Sequence, residues 1–117
     1  MILVYVRRRY TGDVAKNTEE ALEVAREINA VPGYMAVVPH NFSRGLENTK
    51  TEDEWLALCL VMMNACHLVC DDGAASDSRG CRIEERHRRW SVRVIERNQI
   101  PRLKPNAFDA IDATWET

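Results

Sequence analysis

Four short apolar runs punctuate the chain, and most of the segments between them carry helical periodicity. Ile2-Leu3-Val4-Tyr5-Val6 is continuously apolar and stops at Arg7-Arg8-Arg9, the pattern of a strand covered on both faces in a parallel sheet. From Asn17 to Ala30, Leu22, Ala25 and Ile28 recur at helical spacing, with acids on the opposite face, and Pro32-Gly33 ends the helix. Tyr34 to Val38 is a second strand, closed by Pro39-His40. Residues 41–51 form a polar, glycine-containing loop long enough to serve as a flap. Thr51 or Asp53 caps the next helix. In it Trp55, Leu58, Cys59, Val61, Met62 and Ala65 place apolar side chains around much of the circumference, which predicts a buried helix running into a buried strand at Leu68-Val69. After an acidic, small-residue loop, Ser78 caps a third helix, predicted from about Cys81 to Trp90 with Ile83, His87 and Trp90 facing inward. Val92 to Ile95 is a fourth strand. Pro101 and Pro105 mark an extended tail, and Phe108, Ile111 and Trp115 give an amphipathic helix over Asn106 to Trp115.

Alternating strands and helices in 117 residues imply an α/β domain, a small flavodoxin-like or Rossmann-like three-layer sandwich with a parallel sheet of four or five strands. The domain is expected over residues 1–100, with 101–117 a tail that docks on it or on a second copy. The apolar stretch from Trp55 to Cys70 is broken only by Asn64 and His67, yet falls short of the roughly 20 residues that a spanning helix needs, so no membrane association is expected. A net charge of −2 argues against nucleic acid as a partner. The four cysteines lack the spacing of a closed zinc site and read as reduced core thiols, which with no visible secretory signal points to the cytoplasm. No metal or cofactor is expected, and no GxGxxG or Walker sequence is present.

The loop after the third strand is where an open parallel sheet places its ligand. Ser78 caps the helix that follows, Gly80 keeps its first turn open to a ligand, and Glu84 lies one turn further in. The spacing Ser78-x-Gly80-x-x-x-Glu84, the opening Val4-Tyr5-Val6 with its Tyr10-Thr11-Gly12-Asp13 turn, and the Pro39-His40 strand end together resemble the nucleoside 2-deoxyribosyltransferase-like family, which includes deoxynucleoside-monophosphate N-glycosidases. The likeness covers roughly residues 2–96. It implies cleavage or transfer of an N-glycosidic bond in a nucleoside or nucleotide, with Glu84 as nucleophile, Tyr5 orienting it and Asp72 as the acid or base, His40 being the other candidate for proton transfer. It further implies that Ser78 and Gly80 hold a 5′-hydroxyl or phosphate, that Tyr10 and His40 face the ligand, and that the chain forms a homo-oligomer; Arg7 and Arg9, as cations in the loop after the first strand, are expected to add charge for a phosphate. The chain departs from the family's pattern at Arg7-Arg8-Arg9, where small residues are usual, at Cys66-His67, where an aspartate is usual, and at Arg86 and Arg88. The second departure leaves the acid or base role to Asp71 or Asp72. A non-catalytic nucleotide-binding or assembly protein on the same scaffold is the alternative.

Overall fold

The computed structural model describes residues 1–71 and 78–106. Its centre is a four-stranded sheet of β1 (Ile2–Val6), β2 (Tyr34–Val37), β3 (Leu68–Cys70) and β4 (Arg93–Ile95), in the order β2-β1-β3-β4. All pairings are parallel, with Tyr5 opposite Val37 on one side and Val69 on the other. Helices α1 (Val14–Asn29), α2 (Glu52–Ala65) and α3 (Arg79–His87) connect the strands. This is the expected flavodoxin-like α/β sandwich, and the strand order reverses at β1, where such folds open a crevice.

Side-chain alternation along β1 builds two cores. Val4 and Val6 point to one face, where they pack with Ala21, Val24, Ala25 and Ile28 of α1 and with Ile100. Leu3 and Tyr5 point to the other, against Met63, Cys66, Val69 and Val92. Each fully buried valine or isoleucine contributes about 1.5–3 kcal/mol through removal of apolar surface from water.

Three helix expectations are corrected. Helix α1 begins at Val14 rather than Asn17, because the Asp13 carboxylate accepts from the Lys16 amide and caps the helix there. Helix α2 is capped by Thr51 in a reciprocal box with Glu54, but it is not buried all round: Met63 is its one buried residue, and Val61 is 67% exposed. Helix α3 ends at His87, and its inward residues are Cys81 and Glu84 rather than Ile83, His87 and Trp90; Trp90 is 91% exposed. The predicted stripe followed apolar size, whereas the side chains turned inward are a thiol and a carboxylate.

Beyond β4, a 3₁₀ helix (Arg97–Arg102) buries Ile100, and the following segment crosses back to β2. The Asn106 amide donates to the Pro32 carbonyl, and the Tyr34 hydroxyl donates to the Lys104 carbonyl. The tail therefore packs on its own domain as far as Asn106. The helix expected to reach Trp115 lies outside the described residues from 107 onward. Among the described residues, no helix is long and apolar enough to cross a membrane.

Candidate active site

A cavity of about 370 Å³ opens where the loops after β1 and β2 meet the amino ends of α2 and α3. That volume lies in the range of small-molecule pockets. Tyr5 comes from β1, and Arg8, Tyr10 and Thr11 from the loop behind it. Pro39, His40 and Phe42 follow β2. Trp55, Leu56 and Cys59 are presented by α2, and Ser78, Gly80, Cys81 and Glu84 by α3.

Tyr5 and Glu84 meet in its wall. The Tyr5 hydroxyl donates to Glu84 Oε2, both residues being buried. Burial pushes the Glu84 carboxyl above its ordinary range, opposed by the hydrogen bond from Tyr5 and by the positive charge of Arg7. Burial, and then the Glu84 charge, push the Tyr5 phenol far upward, so it stays protonated and keeps its role as donor. The arrangement holds one desolvated carboxylate in a fixed direction in a concave site.

Ser78 caps α3 as expected, its hydroxyl accepting from the Cys81 amide at 3.4 Å, and it is buried in the cavity wall. Gly80 sits in the first turn of α3 with room beside it: an added Cβ would come no closer than 3.9 Å to the Ser78 Oγ. His40 is buried in a short 3₁₀ turn (Pro39–Asn41), with its Nε2 3.0 Å from the Arg9 carbonyl and the Tyr10 ring edge-on at 5.7 Å. With Nε2 beside a carbonyl, that nitrogen carries the proton and donates. Burial pushes the His40 pKa down, and the Arg8 charge adds to the effect. The ring is therefore neutral near pH 7, and its single proton is already engaged. His40 is thus not placed to supply a proton to a ligand. Its Nδ1 is buried without a partner among the described residues.

Two arginines stand elsewhere than expected. Arg7, expected beside a phosphate, is 4% exposed and does not line the cavity. Its Nε and Nη2 bond Asp71 Oδ2 at 3.0 and 2.8 Å, and its Nη1 bonds Glu85 Oε2 at 2.6 Å. Arg9 is exposed, with its main-chain carbonyl rather than its guanidinium turned to the site. Of the three arginines after β1 it is Arg8 that lines the cavity, where it also pairs with Glu20 of α1 at 3.1 Å; Arg79 of α3 lines the cavity as well. Asp72 lies outside the described residues, and Asp71 is engaged by Arg7.

The sequence reading missed Arg8, Trp55, Phe42 and Cys59 as cavity residues. Trp55 carried a usable signal, since it falls in the first turn of a helix that follows a strand's carboxyl end. Its apolar size alone points to the core. Among the described residues, no three His, Cys, Asp or Glu side chains converge as a metal site. Compared with family models, with curated proteins and with solved structures, the chain matches none.

Proposed function

We propose that the cavity binds a nucleoside or nucleotide and that Glu84 acts on its glycosidic carbon. The observation that supports this reading is the buried Tyr5–Glu84 hydrogen bond in the wall of a cavity large enough for such a ligand. The Glu84 carboxylate attacks the anomeric carbon as the carbon–nitrogen bond breaks, and the bonding pair leaves with the base, which takes up a proton. With Cys66-His67 standing where the family's aspartate is usual, Asp72 is assigned the acid role as its stand-in. Water then attacks the glycosyl ester, releasing the sugar and the carboxylate and completing a hydrolysis; a second base in its place completes a transfer. Tyr5 holds the carboxylate in line and shares its charge. Trp55 and Phe42 offer flat apolar faces to a heterocycle, and the Ser78 hydroxyl with the open turn at Gly80 suits the sugar's 5′ substituent.

The test is release of free base from a panel of deoxynucleosides and their monophosphates. Turnover is expected in the parent and should fall by about 10³-fold or more in Glu84→Gln. Binding without turnover, seen as a thermal shift with the same panel, would replace catalysis with the non-catalytic alternative. Neither binding nor turnover would end both. The reduced core thiols suit the cytoplasm, the resemblance suggests a homo-oligomer, and the outward-facing Leu58 and Val61 of α2 are compatible with self-association. Light scattering of the full chain tests that part.

A further inference from the structure

We infer that Arg7 is a positioning residue for Glu84: its guanidinium clamps the ends of β1 and β3 to α3, which keeps the neighbouring carboxyl group aimed and favours its charged form. The inference rests on the reading of Glu84 as the reacting group. It also accounts for an arginine at the end of β1 where the family resemblance calls for a small residue.

The geometry is a closed chain of charge-assisted bonds. Arg7 follows β1 directly, and its amide donates to the Cys70 carbonyl at the end of β3. Its side chain grips Asp71, the residue after β3, through two nitrogens on one oxygen, and reaches Glu85 of α3 with the third. Glu85 in turn accepts from Arg88 at 2.9 and 3.1 Å, and Arg88 Nη1 donates to the Val92 carbonyl ahead of β4 at 2.6 Å. Three strand ends and α3 are thereby fixed to one another around Glu84, which is adjacent to Glu85 in the chain. A planar fork can serve two carboxylates at once, and a lysine ammonium cannot reproduce that geometry.

The same clamp sets the charge state of Glu84. Among the described residues, the groups that act on it are the Tyr5 phenol from β1, the Arg7 guanidinium behind β1 and the Asp71 carboxylate behind β3, with the Cys59 thiol of α2 and the Cys81 thiol of α3 also close enough to interact. Of these, Arg7 supplies the positive charge. Tyr5 gives a neutral hydrogen bond, and Asp71 opposes ionisation. Without Arg7, the buried Glu84 would lose that positive charge while Asp71 still opposed its ionisation.

The experiment is carboxyl-carbon NMR titration of Glu84 in the full chain, with base release measured across pH wherever the parent shows turnover. Arg7→Met is expected to raise the Glu84 titration midpoint by about one unit or more, and to move the acid limb of the rate profile upward with it. Arg7→Lys keeps a charge but loses the fork. It is expected to show a smaller rise in midpoint while the maximal rate stays low, which separates aiming from ionisation. Asp71→Asn removes the opposing acid and is expected to lower the midpoint, and it carries the test if Arg7→Met does not accumulate as folded protein. An unchanged Glu84 midpoint in folded Arg7→Met, or in Asp71→Asn where that variant carries the test, would overturn the inference. An inactive parent whose Glu84 still responds to Arg7 would instead sink the proposed reaction and leave the clamp standing.

Discussion

The Tyr5 phenol donates to the Glu84 carboxylate across 79 residues of sequence, joining β1 to α3 at the carboxyl edge of the sheet. Tyr5→Phe keeps the ring in its core but leaves a buried carboxylate short of a donor. The expected cost is about 1.5–3 kcal/mol at a pH high enough to ionise Glu84, and less at pH 4.5, where its raised pKa favours the proton. Urea unfolding at the two pH values checks it, and an equal loss at both would deny the phenol any role in holding the charge.

Glu84 itself trades stability for an ionised group. Its pKa is higher in the fold than the ordinary 4.5, so above that value the native state binds more protons than the unfolded chain, and stability falls as pH rises towards the folded pKa. Glu84→Gln retains an acceptor for Tyr5 without the charge. It is expected to unfold at higher urea than the parent at pH 7, with a flatter stability curve above pH 4.5.

His40 works in the opposite direction. Burial lowers its pKa below 6.5, so between the folded value and 6.5 the unfolded chain binds the extra proton and stability rises with pH. Replacing His40 with Phe should remove that rise on the acid side of pH 6.5. A histidine nitrogen shift measurement at pH 7 should find the proton on Nε2, facing the Arg9 carbonyl.

Glu85 governs the acid end. Hydrogen bonds from Arg88 and then from Arg7 draw its pKa down to about 2, so its contribution is complete above 4.5 and is lost as pH falls towards 2. Because Glu85 is half exposed, the contribution should shrink as salt is added. Acid unfolding of Glu85→Gln is expected to begin at higher pH than in the parent at low salt, with the difference narrowing at high salt.

What the sequence disclosed followed from pattern strength. Continuous apolar runs at Ile2–Val6 and Tyr34–Val37 admit one reading, and the parallel sheet came with them. Ser78 and Thr51 were legible as caps because their side chains bond locally, whatever the tertiary fold. Helix α2 was not, since apolar residues around its whole circumference leave no signal for which face meets solvent. Helix α3 misled because a buried glutamate is invisible to hydropathy, and the large apolar residues near it lie at its margin or beyond its end. The roles of Arg7, Arg8 and Arg9 depend on how the chain leaves β1 after Val6, where strand alternation no longer applies. Three like residues in a row carry no clue to which is buried.

Two glycines make opposite demands, and their alanine variants should separate fold from site. Gly33 has a φ of +84°, and a Cβ there would fall 1.8 Å from the Asn106 carbonyl oxygen. The backbone conformation alone costs a non-glycine residue roughly 1–2 kcal/mol. The clash adds to this, because Asn106 is backbone held by the Pro32 carbonyl and cannot simply rotate away. Gly33→Ala should therefore lower the unfolding midpoint and open residues 103–106 to proteolysis. Gly80 has helical geometry with free space around it, so alanine there relieves a flexible residue and should stabilise α3 by up to about 1 kcal/mol. The new methyl group would still project beside Ser78 and Leu56 in the cavity wall, where a bound ligand needs room. The expected result is a protein more stable than the parent that binds nucleosides less well. A Gly80→Ala variant with unchanged affinity would move the ligand away from the first turn of α3.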